Sequence, residues 1–375
     1  MTPAASAKGG LRPWVESAWR DEGGGVATWP LRPLSLLYAV AAGTARWFAA
    51  RSRRPLAGVT VIAIGGLAVG GAGKTTLARW AARESLARGL RPAILLRGHR
   101  SEAASRAPRV VSREEAGATG AADRFGDEAI AHRAALPEGV LVVVGADRFA
   151  AARLARDEGA DLVLLDDGWE QGRLAWDSLW VAVDPRRPFG NGWTLPAGPL
   201  RRPPSNLNQA NAIVAIAEDS GEVDEPIAPE LLVAAGERPI VRFARRVESW
   251  SGASGSAGSG APGGPILLVS SVGDPDRLER FVRGAGLTPV EHLAFPDHGT
   301  WDGGRVARAA AALAARGAAT LVVTDKDASR ASLLGDVGLP IRILATGLSP
   351  VDDPAPLLAA LRSPGGPMAA GAPIG

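Results

Sequence analysis

The amino-acid sequence predicts an α/β protein with two Rossmann-like domains and a hydrophobic helix ahead of them. Apolar runs of strand length, among them 59–66, 161–167 and 211–217, alternate with stretches of helical periodicity. Such alternation is typical of a parallel sheet with helices on its faces. The pattern stops in a Gly/Ser-rich segment at 251–264 and resumes at residue 265. The second series predicts another, smaller α/β domain.

The predicted organisation has five parts. Residues 1–58 form an N-terminal segment, 59–220 the first domain, 221–264 a linker with the Gly/Ser-rich insertion, and 265–350 the second domain. The tail at 363–375 consists mainly of proline, glycine and alanine, a composition that favours disorder.

Composition excludes several classes of function. The chain has 375 residues, of which 46% are hydrophobic and 22% charged, as in globular proteins. It has no cysteine, which excludes disulfides, thiolate metal sites and a cysteine nucleophile. The net charge is +3, and no aromatic–basic stacking motif or zinc-finger spacing occurs. We therefore expect anionic small molecules or lipids as partners, no nucleic acid and no obligate protein partner.

An apolar stretch at about 33–50 predicts the N-terminal helix. Its uncharged part, 34–45, is shorter than the ~20 residues that a straight membrane span needs. Arg46 ends that part, and further arginines follow at 51, 53 and 54. Two interpretations stay open on this pattern. The helix lies in a membrane surface with its arginines near anionic headgroups, or it packs at the edge of a domain.

The glycine-rich segment at 67–76 carries the strongest local indication of chemistry. It follows a predicted strand and opens a helix, the context of a phosphate-binding loop, although Ala68 replaces the first glycine of the usual pattern. This predicts a P-loop NTPase-type first domain with a parallel sheet. Lys74 is the candidate for phosphate contacts and Thr75 for Mg²⁺. The candidate nucleotide-binding residues are Gly70, Gly71, Ala72, Gly73, Lys74, Thr75 and Thr76.

Two aspartates follow a later apolar run. Asp166 and Asp167 stand where a Walker B carboxylate holds Mg²⁺ or its water. If the strand continues through them, their side chains point to opposite faces, one towards the metal and one towards a neighbouring loop. The alternative is that they cap a helix or turn, a common role of Asp after a strand. The glycine-rich loop and the two aspartates together predict a protein that binds a nucleotide with Mg²⁺. They do not distinguish a kinase from a nucleotide switch.

Further motifs occur along the chain. They are IAIGGLAVGGAGKTT (62–76), RGHR (97–100), DRFGDEA (123–129), VGADRFAAA (144–152), LLDDGWEQGRLAWD (164–177), FGNGWTLPAGPLRRP (189–203), FPDHGTW (295–301) and VVTDKDASR (322–330). These segments resemble, in the same order over about residues 30–330, those of the tetraacyldisaccharide 4'-kinase family. The resemblance implies an enzyme that transfers the γ-phosphate of ATP, with Mg²⁺, to the 4'-hydroxyl of tetraacyldisaccharide 1-phosphate in lipid A synthesis. It also implies a place at the cytoplasmic face of the inner membrane, which favours the membrane interpretation of the helix.

The resemblance also implies site residues. Asp127 is the candidate proton acceptor with His298 as its partner, and Lys74 completes the catalytic set. Alternatively, Asp127 caps a helix and His298 is a loop residue bonded to backbone. Arg148 and Arg201 are candidate anchors of the sugar 1-phosphate, since a guanidinium matches phosphate in two hydrogen bonds. Asn191, in the FGNG segment, is a candidate substrate-binding residue on the resemblance alone.

Several positions depart from the family pattern. Glu170 and Gln171 replace Gln-His, Arg202 replaces Glu, and Gly299 replaces the second His of a PDHH motif.

Other nucleotide-binding classes are alternatives to the kinase. A partition-type ATPase has a similar loop but carries a lysine where Val69 stands here. A metallochaperone GTPase needs an N-K-x-D motif, which TDKD at 324–327 matches only in part.

Overall fold

The structure is a computed structural model. It describes residues 19, 26–70, 72–98, 101–105, 107–218, 226–252, 260–296, 301–315, 317, 320–331, 334 and 336–364. Of the predicted site residues, Gly71 and His298 lie outside the described residues, as do Gly299 and most of the predicted tail.

Within these residues, twelve strands form one sheet in the order β10-β9-β11-β12-β8-β7-β6-β1-β5-β2-β4-β3. The strands are β1 (Thr60–Gly66), β2 (Pro92–Leu96), β3 (Arg109–Val110), β4 (Leu141–Val144), β5 (Leu162–Leu165), β6 (Ser178–Val183), β7 (Ala212–Ala217), β8 (Ile240–Gly252), β9 (Pro265–Ser270), β10 (Thr288–Ala294), β11 (Thr320–Thr324) and β12 (Ile341–Pro350).

The described α-helices lie mainly between the strands. They are α1 (Arg32–Arg51), α2 (Lys74–Ala87), α3 (Arg113–Gly117), α4 (Ala121–Phe125), α5 (Asp127–Ala135), α6 (Arg148–Asp157), α7 (Pro229–Ala235), α8 (Pro275–Gly284), α9 (Gly303–Ala314), α10 (Ala328–Ala331) and α11 (Ala355–Leu358). Local sequence explains several helix starts. Asp147 accepts hydrogen bonds from the first-turn backbone of α6, and Asp274 does the same at α8, where Pro275 takes the first helical position.

The sheet consists of two parallel blocks. In the first block, β2, β4, β5, β1, β6, β7 and the start of β8 are parallel neighbours, and β3 adds an antiparallel edge. In the second block, β10, β9, β11 and the start of β12 are parallel neighbours. Alternate residues of β1 belong to two core clusters on opposite faces of the sheet. Ile62 and Ile64 pack into one cluster, and Val61 and Ala63 pack into the other. Burial on both faces explains why these strands are continuous apolar runs.

The two blocks meet through an antiparallel ribbon of β8 and β12. Strand β7 pairs with residues 240–244 of β8, whereas β11 pairs with residues 341–344 of β12, at the opposite end of the ribbon. Because β8 and β12 run in opposite directions, the carboxyl ends of the two blocks point towards each other. They face the middle of the ribbon, where Arg245 donates to Thr346 Oγ1 over 3.2 Å.

The prediction of an α/β fold with a large, mostly parallel sheet is confirmed. The division into two domains stays a prediction, since the strands of both proposed domains share one sheet. The interpretation of 221–264 as a linker was wrong in its described part, because α7 and β8 lie within it. Only Val241, Phe243 and Gly252 of β8 are fully buried, and arginines stand between its buried residues, so the apolar pattern of a strand is weak there.

Candidate active site

A cavity of about 840 Å³ lies where the carboxyl ends of the two blocks meet. Its walls include Lys74 at the start of α2, Asp167 after β5, Glu218 after β7, Val272 after β9 and Asp325 after β11. Carboxyl ends of parallel strands are the usual place of ligand sites in α/β folds. The head-to-head arrangement therefore brings two such edges to one cavity.

The loop between β1 and α2 forms one wall of this cavity. Gly73 has a φ of +84°, and a Cβ on it would lie 2.7 Å from Ile216 Cδ1. Only glycine fits this turn, which brings Lys74 to the first residue of α2, at the positive end of the helix. The predicted nucleotide-binding residues that the structure describes all line the cavity. They are Gly70, Ala72, Gly73, Lys74, Thr75 and Thr76.

Asp167 is bound by two cations of the cavity. Lys74 Nζ lies 3.3 Å from Asp167 Oδ1, and Arg201 Nη1 donates to Asp167 Oδ2 over 2.9 Å. The residue has a φ of +52°, the left-handed region that non-glycine residues seldom adopt and that often marks functional sites. Burial alone raises the pKa of Asp167, but Lys74 and Arg201 outweigh it and hold that pKa below its ordinary value.

Asp166 binds His132 and, like Asp167, lines the cavity. Strand β5 ends at Leu165, so the condition under which the two side chains would point to opposite faces is not met. His132 Nε2 lies 3.0 Å from Asp166 Oδ2, and both side chains are buried. Burial lowers the pKa of His132, which favours neutral imidazole donating from Nε2. Burial raises the pKa of Asp166, but the bond to His132 overcomes this and the pKa lies below its ordinary value.

We expect the His132–Asp166 pair to contribute strongly to stability. His132→Ala leaves a buried carboxylate without its donor, which lowers the free energy of unfolding by about 3 kcal/mol. Chemical denaturation at pH 7.5 measures this loss. His292→Ala is the matched control, because the charged partner of His292, Glu279, keeps 32% of its side chain exposed, and its other partner, Ser270 Oγ, is uncharged. Equal losses of the free energy of unfolding in the two variants would contradict the expectation that the buried carboxylate of Asp166 depends on His132.

Asp127 pairs with Arg330 instead of capping its helix. The residue at the N-cap of α5 is Gly126, with no side-chain cap, and Asp127 is the first helical residue. Its Oδ2 accepts a hydrogen bond from Arg330 Nη2, on α10 of the second block. The cavity wall includes its neighbour Glu128 but not Asp127. The predicted role of Asp127 as proton acceptor stays a prediction.

The predicted substrate anchors have different surroundings. Arg148 is buried in the cavity wall, where burial lowers its pKa to about 10. Arg201 lines the cavity and its backbone N–H donates to Leu67 O over 2.7 Å, which joins its loop to the start of the nucleotide loop. Asn191 is not in the wall. Its side chain binds Ala197 O and the backbone N–H of Trp193, so it shapes its own loop.

Two departures from the family pattern contact each other. Arg202 Nε donates to Glu170 Oε1 over 2.6 Å. Arg46 of α1 donates to Glu170 Oε2 over 3.1 Å and to Arg201 O over 2.6 Å. The negative charge of Glu170 thus balances the positive charge of Arg202. Through Arg46, the same network connects α1 to the loop that carries Arg201.

Sequence reasoning missed several residues of this region. His132 and Arg330 were not singled out as partners of Asp166 and Asp127, and Arg245, which donates to Thr76 Oγ1, was not considered. These contacts join residues 34, 203 and 169 positions apart in the chain. No spacing motif within one segment indicates such pairs.

Fold and cavity together define a class of protein. It is an α/β protein whose parallel strands present a glycine-rich loop, paired cations and carboxylates to one cavity, an arrangement suited to a ligand that carries phosphate.

Comparison with known proteins identifies the family. The model of the family described as tetraacyldisaccharide-1-P 4'-kinase, LpxK, matches residues 27–361, so the chain belongs to this family. The tetraacyldisaccharide 4'-kinase of Bradyrhizobium diazoefficiens is 34% identical over 87% of this chain and 89% of its own length. That of Pelobacter propionicus is 33% identical over 81% and 82%, respectively. The resemblance found in the motifs is confirmed.

A solved structure has the same fold. The crystal structure of the "apo" form of LpxK from Aquifex aeolicus in complex with ATP aligns with a TM-score of 0.66. The alignment covers 90% of this chain and 98% of the other, at 22% sequence identity.

Proposed function

We propose that this chain is an ATP-dependent kinase that phosphorylates the 4'-hydroxyl of tetraacyldisaccharide 1-phosphate in lipid A synthesis. The observation that carries the proposal is the arrangement at Asp167, which contacts Lys74 of the glycine-rich loop and Arg201 of the PAGPLR segment. A phosphate loop of the P-loop NTPase type and a family-specific segment thus meet at one carboxylate. The named relatives are kinases of this acceptor.

The donor set at the loop fits Mg²⁺. Asp167 and Thr75 both line the cavity, and carboxylate and hydroxyl oxygens suit this hard cation. Among the described residues, no group of three or more His, Cys, Asp or Glu side chains is arranged to hold a metal ion. Phosphate oxygens and water would complete the coordination, which is usual for Mg²⁺. When bound, Mg²⁺ neutralises charge on the β- and γ-phosphates, and Asp166, which also lines the cavity, is the further candidate ligand.

The chain's own groups would bind and orient the reactants. Backbone N–H groups of the glycine-rich loop and the N-terminus of α2 hold the phosphates of ATP, and Lys74 contacts the β- and γ-phosphates. Arg148 and Arg201 hold the 1-phosphate of the sugar. The 4'-oxygen then forms its bond to the γ-phosphorus while the bond from that phosphorus to ADP breaks, and the hydroxyl proton passes to Asp127, assisted by His298.

The direct test is transfer of labelled γ-phosphate from ATP to tetraacyldisaccharide 1-phosphate in detergent micelles with Mg²⁺. We expect label on the acceptor, and none when the acceptor already carries a 4'-phosphate. Hydrolysis of ATP without labelled acceptor would reject the kinase and favour the partition-type ATPase, the second candidate. Equal turnover of GTP and ATP without transfer would point to a nucleotide switch.

Helix α1 would bind the cytoplasmic surface of the inner membrane. One side is fastened to the protein, since Ser35 is buried and accepts a hydrogen bond from Ala197 N over 2.9 Å. The other side exposes apolar side chains. They are Leu34, Leu36, Leu37, Val40, Trp47 and Phe48. In the part of the chain that the structure describes, no helix is long and apolar enough to cross a membrane. An exposed apolar patch followed by arginines suits a helix that lies in the interface.

We expect charge on this face to weaken membrane binding. The double variant L37E/V40E should lower partitioning onto vesicles of phosphatidylcholine and phosphatidylglycerol by at least about 10-fold, because two side chains lose their transfer into lipid. Cosedimentation measures the partitioning. Val233→Glu is the matched control, since Val233 is an 84% exposed apolar residue on another helix. Equal binding of wild type and double variant would reject the membrane role of α1.

A further inference from the structure

The ion pair between Asp127 and Arg330 joins the two parallel blocks at the edge of the cavity. Asp127 begins α5, which precedes β4 in the first block, and Arg330 lies on α10, after β11 in the second. Glu128, next to Asp127, and Lys326, four residues before Arg330, belong to the cavity wall. The orientation of the Asp127 carboxylate therefore depends on a group from the other half of the molecule.

The guanidinium of Arg330 is itself held rigidly. Its Nη1 donates to Ser271 Oγ and to Asp327 Oδ1, each over 3.0 Å. Asp327 is fully buried and also accepts from Ser271 N over 3.0 Å and from Thr324 Oγ1 over 2.9 Å. The ends of β9 and β11 thus form a polar cradle that leaves little freedom to the arginine head group.

The helix that carries Asp127 is fixed at a second point. His132 of α5 binds Asp166 next to the nucleotide loop, whereas Asp127 binds the second block. No side-chain cap is present at the start of α5, and the ion pair with Arg330 is a contact that orients the first carboxylate of the helix relative to the opposite strand ends.

We propose that Arg330 is a positioning residue of the phosphoryl transfer. It holds the Asp127 carboxylate in the orientation from which it accepts the proton of the 4'-hydroxyl, and it makes this orientation conditional on the approach of the two blocks. The inference rests on the proposed function of Asp127. Phosphoryl transfer has a loose transition state and depends mainly on positioning, so the orientation of the acceptor carboxylate is what Arg330 supplies.

Steady-state kinetics of Arg330→Gln and Arg330→Lys test the proposal. We expect Arg330→Gln to lower kcat by about 10- to 100-fold, the effect of a small misplacement of a catalytic group, with little change in the KM for ATP. Arg330→Lys should recover part of the loss, since it keeps the charge without the fork of donors. Arg83→Gln is the matched control. Arg83 pairs with Glu248 on β8 and also contacts α5, at its other end, through Ala135 O.

A double-mutant cycle with Asp127→Asn separates positioning from simple stabilisation of the fold. If Arg330 acts through Asp127, Arg330→Gln should change kcat by less than about 2-fold in the Asp127→Asn background. Losses that multiply, or equal losses of kcat in Arg330→Gln and Arg83→Gln at matched thermal stability, would overturn the inference. Wild-type kcat in Asp127→Asn would instead overturn the role of Asp127 itself. A wild-type protein without transfer would reject the proposed function, and this inference with it.

Discussion

Lys74→Ala is expected to reduce kcat for phosphate transfer by about 10³-fold or more. The loss of one preorganised charge at a developing negative centre commonly has an effect of this size. Here the ammonium group lies at the first turn of α2 and 3.3 Å from Asp167 Oδ1, so its removal withdraws positive charge from the phosphates and from the carboxylate proposed for Mg²⁺. The transfer assay in micelles measures the change.

Folding of the Lys74 variant provides the control. Asp167 keeps its bond to Arg201, and 44% of its side chain is exposed. We therefore expect thermal unfolding within a few degrees of wild type, because the carboxylate that loses Lys74 keeps a second cation and contact with solvent. A folded Lys74→Ala protein that retains wild-type kcat would exclude the glycine-rich loop as the site of phosphate transfer, even if ATP bound elsewhere on the protein.

Asp127→Asn should have the second largest effect. Loss of a general base typically lowers kcat by about 10²- to 10⁴-fold, and asparagine cannot take the proton although it keeps the shape. ATP binding should stay nearly intact, because Asp127 begins α5 and lies outside the glycine-rich loop that is proposed to hold the phosphates. Pre-steady-state transfer and equilibrium binding of ATP separate the two effects.

Glu128→Gln is the matched comparison for Asp127→Asn. Glu128 is the next acidic residue of α5 and does line the cavity. If Glu128→Gln caused the larger loss of kcat and Asp127→Asn little, the proton acceptor would be Glu128 and the family-based assignment of Asp127 would fail.

The structure also accounts for differences from the family pattern. Taken separately, Glu170 and Arg202 put the substrate contacts in doubt. In the fold they form one ion pair, with Arg46 of α1 as a second cation on Glu170. Within this pair, Arg202 is almost fully buried and its guanidinium lies over the ring of Trp169. The two departures from the family pattern therefore balance each other in charge, beside the loop that carries Arg201.

Much of the fold followed from sequence because its strands are buried on both faces. Continuous apolar runs at 60–66 and 162–165 leave few alternatives to a parallel sheet with covering helices. Strand β8 was not predicted, because arginines interrupt its apolar pattern. Sequence analysis also did not predict that both blocks share one sheet. The pairing of β8 with β12 is not reflected in the hydrophobic periodicity of either segment.

The sequence by itself determined the α/β class, the glycine-rich loop, the paired aspartates and the family, since each depends on short patterns and on their order along the chain. Only the tertiary structure decided that the two blocks meet head to head and that Asp167 faces the loop while Asp166 binds His132. It likewise decided that Arg330 reaches Asp127 from 203 residues away. The physical reason is that ion pairs and buried hydrogen bonds depend on distance in space, which chain spacing does not specify until the sheet brings its strand ends together.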